Sequence, residues 1–317
     1  GAVLVAPYGT PIVAALAATM AEDKIPGTSP GFGTAAAANG DKYPYMFPIA
    51  ASYFSQTAGL IKFVKDQLGG DLKGKKLAYL YYDNPAGREG IPVMERLAKD
   101  EGYEWRQFAV PPPGLEMGAQ VLDITRRFRA DFVIAHTFGR APAVMLKEFK
   151  RSGYPLNKMV GLVWAGSEGD IAAAGGWDAA EGYNVISFAG VGSDYPVLDE
   201  IKAMYKDQGK EPPKEMEFTT YYNRGVFQAA VHLKAIENAV NKKGSGDITG
   251  TDVRDGMREI KDFSLGGMLP PLQMSAQDHE GGGYIRVFQV KDGGYQPVTE
   301  WFNAYREVIF ELIDETH

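Results

Sequence analysis

The sequence predicts an α/β protein built as two doubly wound, parallel-sheet lobes joined by a hinge that the chain crosses three times. Three observations carry this reading. Between residues 76 and 188, short β-branched or aromatic runs alternate with stretches of helical period. That is the order of right-handed βαβ crossovers. A strand–helix–strand order recurs at the start of the chain, apart from that block. A length of 317 residues allows about two domains, each with its own core.

In chain order, Ala2-Val3-Leu4-Val5-Ala6 reads as a short buried strand that stops at Pro7-Tyr8-Gly9. Thr10-Pro11 then reads as an N-cap followed by proline at the first helical position. Ile12, Leu16 and Met20 fall on one face of the helix, and Glu22-Asp23 closes it. A second short strand ends in Ser29-Pro30-Gly31-Phe32-Gly33-Thr34, a turn rich in glycine and hydroxyls. An extended, proline-marked segment over 43–49 leads to a helix over 52–68, with Phe54, Ala58, Ile61 and Val64 on one face.

The regular block follows, with strands over 76–82, 104–110, 131–136, 159–164 and 183–188. Between them lie helices over 87–102, 116–129, 142–153 and 170–174. Composition shifts at Gly190-Val191-Gly192-Ser193. Beyond it come helices over 197–208, 217–241 and 251–259, then a hairpin of 284–290 with 296–298 across Asp292-Gly293-Gly294. A helix over 303–315 ends the chain. One lobe is therefore expected from 51–189 plus 281–317, and the other from 1–50 plus 190–280. The crossings fall near 47–52, 188–192 and 284–290, and the cleft facing such a hinge is the expected ligand site.

Composition excludes several classes. Apolar residues at 45% and charged residues at 23% are ordinary globular values. The net charge of −7, with both signs interspersed, argues against nucleic acid or an anionic membrane as partner. The chain has no cysteine, hence no disulfide, thiolate metal site or cysteine nucleophile. No apolar run reaches the length of a membrane span.

Candidate chemistry is thin for an enzyme. Gly31-Phe32-Gly33-Thr34-Ala35-Ala36 matches G-x-G-x-x-A, but Asn39-Gly40 interrupts the long helix that a dinucleotide site needs. Ala165-Gly166-Ser167-Glu168-Gly169 misses a nucleophile elbow at its first position. Among the histidines 136, 232, 279 and 317, only His136, at the end of a strand, is placed as a base. Asp278-His279-Glu280 offers metal-ligand types, yet its glycine-rich flank reads as a turn. No metal, cofactor or catalytic set is expected, and an α/β hydrolase-like or dehydrogenase-like enzyme is the competing reading.

Two turns read as a binding site instead. Ligands of open α/β sheets lie outside the carboxyl ends of the strands, where helix starts present N–H groups. The turns Tyr8-Gly9-Thr10 and Phe32-Gly33-Thr34 are so placed. Tyr8, Phe32, Tyr53, Phe138 and Trp164 all fall at strand ends or helix starts on the same predicted side. Five aromatics there point to a pocket for an apolar, ring-bearing ligand.

These features run through APYGTPIVAAL, IPGTSPGFGT, FPIAASYFSQT, KKLAYLYYDNPAGREG, the turn Asp178–Gly182 and PLQMSAQDHEGGGYIRVFQVKDG. Together and in order, they make the chain resemble the type I periplasmic solute-binding proteins of branched-chain amino acid ABC importers, the Leu/Ile/Val-binding group. The resemblance implies that fold, a ligand caught by lobe closure, an inner-membrane ABC permease as partner, a monomer, and a periplasmic location with the signal peptide removed. It also implies a further strand–helix–strand ahead of Ala2, which this sequence does not contain. The family's carboxylate site falls on Thr10 and Gly31–Thr34. Its ammonium-binding aspartate falls on Tyr53, and its glutamate on Ala165 or Glu168.

The ligand expected from this is a small apolar, aromatic carboxylate without an α-ammonium group. It would be held by Tyr8, Gly9, Thr10, Phe32, Gly33, Thr34 and Tyr53, with His136, Phe138 and Trp164 completing the contact. A branched-chain or other apolar amino acid held by Glu168 is the alternative, and a ligand-sensing module of a longer receptor is a third reading.

Overall fold

The computed structural model describes residues 1–316; His317, counted above among the histidines, lies outside the described residues. The helices and strands in chain order are α1 (Thr10–Asp23), β1 (Gly27–Thr28), β2 (Met46–Phe47), α2 (Tyr53–Gln67) and β3 (Lys76–Tyr82). Next come α3 (Pro85–Arg88), α4 (Ile91–Glu101), β4 (Glu104–Val110), α5 (Gly118–Leu122), β5 (Phe132–His136) and α6 (Ala141–Ser152). They are followed by β6 (Met159–Gly161), α7 (Glu168–Ala174), α8 (Trp177–Ala180), β7 (Asn184–Ser187), α9 (Pro196–Asp207) and α10 (Thr219–Lys243). The rest are α11 (Gly250–Arg258), β8 (Arg286–Lys291), β9 (Gly294–Pro297) and α12 (Arg306–Thr316).

The chain forms two compact units. Unit 1 comprises Gly1–Ser52, Phe188–Tyr284 and the chain end from Ile313; unit 2 comprises Tyr53–Ser187 and Ile285–Leu312. Unit 2 holds a seven-stranded sheet in the order β4-β3-β5-β6-β7-β8-β9. Its first five strands are parallel, while β8 runs antiparallel to β7 and to β9. Ala78 and Leu80 face one core with Val133, Phe128, Met145, Phe149 and Ile171. Leu77 and Tyr79, also buried, alternate to the other face, where Phe63 of α2 meets Phe132 edge-on. A sheet buried on both faces explains why β5 is apolar throughout until His136. The hairpin β8–β9 turns on Asp292 and Gly293, both at positive φ, the conformation that the Asp-Gly pair favours.

Unit 1 is mainly helical. Its parallel pairing is β1 with β2, plus a single bridge from Val5 to Gly27. The strand expected over 2–6 is therefore one bridged residue: Val5 donates to Pro26 O and accepts from Thr28, and no strand pairs with its other flank among the described residues. Ala2 is exposed and Val3 to Val5 are half-buried, not core.

Helix α1 also departs from the expected pattern. Val13 and Met20 face inward, whereas Ile12 and Leu16 are exposed. At 3.6 residues per turn these four positions fall within one arc of about 100°, and the neighbours of α1 cover only the side of it that carries Val13 and Met20. Polar ties fix the rest of unit 1. His232 Nε2 bonds the hydroxyl of Thr28 at 2.7 Å, anchoring α10 on β1. Thr249 and Asp252 form a reciprocal capping box on α11. From Ile313 the last turn of α12 belongs to unit 1, where Lys42 Nζ donates to Ile313 O at 3.2 Å.

Candidate functional site

Each unit gathers its own share of the candidate residues. In unit 1 the two expected turns meet. The backbone N–H of Gly33 donates to Thr10 Oγ1 at 3.2 Å, and the rings of Tyr8 and Phe32 pack edge to face with centroids 5.3 Å apart. Tyr8 is 72% exposed while Phe32 is buried, so this pair presents one ring outward on a fixed base.

Thr10 is not the N-cap that its sequence position predicts. Gly9 caps the helix at φ 101°, Thr10 is the first helical residue, and Pro11 the second. Gly9 O already accepts from both Ile12 and Val13, and Pro11 has no N–H. The helix start thus offers one donor, the N–H of Thr10, rather than several. The Thr10 hydroxyl, while accepting from Gly33, keeps its own proton to give. Thr34 starts a turn of 3₁₀ helix over Ala35–Ala38 without capping it by its side chain. Four helical residues are too few for a dinucleotide-binding βα unit, so the G-x-G-x-x-A match ends in a tight turn.

Gly33 sits at φ +91°, and a Cβ there would lie 2.9 Å from Ser29 Oγ and 3.3 Å from Val13 Cγ1. Only glycine lets the turn close onto α1. Behind it, the Phe188 ring fills the space beside Gly31, and the Arg224 guanidinium lies over the rings of Phe188 and Tyr221, 5.3 Å from each centroid. Arg224 is buried, its charge set against these aromatic faces.

In unit 2, Tyr53, His136 and Phe138 form one aromatic group. Tyr53 stands 4.4 Å and Phe138 4.9 Å from the imidazole, centroid to centroid. Phe138 also meets Tyr82 edge-on at 5.9 Å. Tyr53 and His136 are buried and Phe138 is half-buried. His136 Nδ1 lies 2.9 Å from the hydroxyl of Tyr79, and that hydroxyl donates to Gly87 O at 3.0 Å. Burial lowers the His136 pKa from 6.5 to about 3, so the ring is neutral, and pushes the Tyr79 phenol well above its usual value. Gly90 makes room for this hydroxyl: a Cβ there would lie 2.4 Å from it.

Trp164 is half-buried and lies three residues past β6, at the carboxyl end of the same sheet. Ala165 is buried and its carbonyl accepts from Tyr183 Oη at 2.8 Å. Glu168 opens α7, with Ser167 as its N-cap bonded to Asp170. Ser167 is thereby a helix cap and not a nucleophile on an elbow.

The Asp278-His279-Glu280 triplet is structural. His279 stacks on Phe47 at 3.8 Å, donates from Nδ1 to Met46 O at 2.7 Å and accepts at Nε2 from Arg258 at 3.1 Å. Glu280 accepts the Ser52 N–H at 2.6 Å, and Asp278 accepts from Glu280 N. Among the described residues no three His, Asp or Glu side chains gather as a metal site.

Sequence reasoning missed Tyr79, Thr137 and Arg224. Tyr79 sits inside an apolar strand, and its partner is 57 residues away. Thr137 had a signal, a second polar residue directly after His136 at the end of a buried strand.

The family model described as periplasmic binding protein matches residues 1–295. The chain belongs to the periplasmic binding protein family. Its sequence is 28% identical over 187 residues to the Leu/Ile/Val-binding protein homolog 7 of Brucella suis biovar 1 and to that of Brucella melitensis biotype 1. That stretch is 58% of this chain and 45% of the Brucella proteins, so it spans about half of their length. An ABC transporter permease structure from the Pseudomonas fluorescens group superposes with TM-score 0.91 at 35% identity, covering 98% of this chain and 77% of that one. A branched-chain amino acid ABC transporter protein from Thermus thermophilus with bound valine superposes with TM-score 0.78 at 22% identity, covering 99% and 80%. A fatty acid ABC transporter substrate-binding protein from Thermomonospora curvata gives 0.75 at 18%, covering 99% and 76%. This periplasmic binding protein thus has the type I fold of the Leu/Ile/Val-binding group, and among its described residues no helix is long and apolar enough to cross a membrane.

Proposed function

We propose that this periplasmic binding protein is the solute receptor of an ABC importer. It captures a small apolar, aromatic carboxylate by closing its two units on it and presents the closed form to an inner-membrane permease. The observation that carries the reading is the Thr10–Gly33 bond, which joins the two turns and leaves a hydroxyl proton and the Thr10 N–H together at the helix start. Charge-assisted hydrogen bonds from such donors replace the hydration of a carboxylate. Tyr8 and Phe32, packed edge to face, supply apolar ring surface, and by the family resemblance Tyr53 of unit 2 takes the place of the ammonium-binding aspartate. A buried ammonium without a carboxylate partner costs several kcal/mol. The Thermomonospora curvata protein, named for fatty acids, supports this fold's use for acids without an ammonium.

A second reading follows from the valine bound to the Thermus thermophilus protein. Here an apolar amino acid would place its ammonium near Glu168. A thermal-shift screen that pairs each acid with its α-amino counterpart separates the two. Stabilisation by benzoate, cinnamate or phenylpyruvate supports the first reading; stabilisation by leucine or phenylalanine alone overturns it. A periplasmic location and a monomeric state belong to the same proposal and are tested by cell fractionation and by the protein's mass in solution.

A further inference from the structure

Tyr79 has one hydroxyl proton and donates it to Gly87 O. The 2.9 Å contact between its oxygen and His136 Nδ1 then requires the proton on Nδ1, because a phenol without a spare hydrogen only accepts. Nε2 is left as a bare lone pair. It is fully buried and has no hydrogen-bond partner. The hydroxyl of Thr137, the next residue, is buried and unpartnered as well. A buried polar atom without a partner costs free energy, so native structures rarely keep one without a use. Two in succession lie at the carboxyl end of β5, the edge where ligands of parallel sheets bind. The rings of Tyr53 and Phe138 pack against the imidazole.

We propose that this strand end is a subsite for a neutral hydrogen-bond donor on the ligand, a ring hydroxyl received by His136 Nε2. The inference rests on the aromatic-carboxylate reading above and narrows it to hydroxylated aromatic acids. The chemistry favours a hydroxyl over an ammonium. A neutral imidazole offers one lone pair and no charge, which satisfies one O–H but leaves an ammonium with two protons and its charge uncompensated. The low basicity of His136 keeps Nε2 an acceptor throughout the neutral and mildly acidic range.

The test is calorimetric titration of the full chain with benzoate and with ortho-, meta- and para-hydroxybenzoate, repeated on His136→Phe. At least one hydroxy acid is expected to bind about tenfold more tightly than benzoate, the effect of one net hydrogen bond. In His136→Phe that preference should vanish, so that no hydroxy acid binds more tightly than benzoate. Benzoate binding as tightly as every hydroxy acid overturns the inference and leaves the receptor reading standing. Binding of none of the four overturns both. If the variant does not fold, nitrogen NMR of the unchanged protein decides: the His136 Nε2 resonance should move with the hydroxy acid and not with benzoate, and equal response to both overturns the subsite.

Discussion

Thr10 Oγ1 accepts the backbone N–H of Gly33 across 23 residues of chain, so the two turns proposed to hold a carboxylate are one hydrogen-bonded unit before any ligand arrives. The bond fixes where the hydroxyl proton can point and spares the ligand the ordering of a mobile loop.

Thr10→Ala removes that acceptor and the proposed ligand donor together. Affinity for the best aromatic acid is expected to fall by about 1–2 kcal/mol, roughly five- to thirtyfold. Stability should fall too, since Gly33 is buried and its N–H would lose its partner. Thr10→Ser keeps the oxygen and should retain most of both. Calorimetry and thermal melts of the two variants measure this.

Gly33→Ala tests the turn from the other side. The φ of +91° disfavours any side chain, and the new methyl would press on Ser29 and Val13. A loss of about 1–3 kcal/mol is expected in chemical denaturation. Loss of acid binding should accompany it, because the turn cannot close on Thr10.

Tyr53→Asp restores the residue type that the resemblance places there in amino-acid binders. Preference should move from aromatic acids toward leucine or phenylalanine, at a stability loss of about 2–4 kcal/mol for a charge put in a buried aromatic site. A paired-ligand thermal-shift panel reports the exchange. No gain of amino-acid binding would refute the role given to Tyr53.

His279 and His136 set the response to acid. Burial holds both near pKa 3 in the folded protein against an ordinary 6.5, and Arg258 beside His279 opposes its protonation further. The unfolded chain therefore binds more protons between these values. Stability is full above about pH 6.5 and falls as pH drops toward 3, at about 1.4 kcal/mol per pH unit for each histidine. His279→Gln should reduce the slope of unfolding free energy between pH 6 and 5 by about one proton relative to the unchanged protein. Denaturation curves across that range measure it.

The sequence by itself determined the βα order of unit 2, because strand and helix periods are local and each buried strand must read as apolar. It also determined the two polar turns of unit 1, since glycine, proline and hydroxyl residues act through their own backbone. The bridge at Val5 and the outward face of Ile12 and Leu16 were decided by the tertiary structure, for burial depends on which neighbours cover a face and not on the face's own pattern. The same holds for the bare Nε2 of His136. Its tautomer is set by Tyr79 and Gly87, whose meeting with β5 depends on strands 57 residues apart lying side by side, and on a proton that no local pattern encodes.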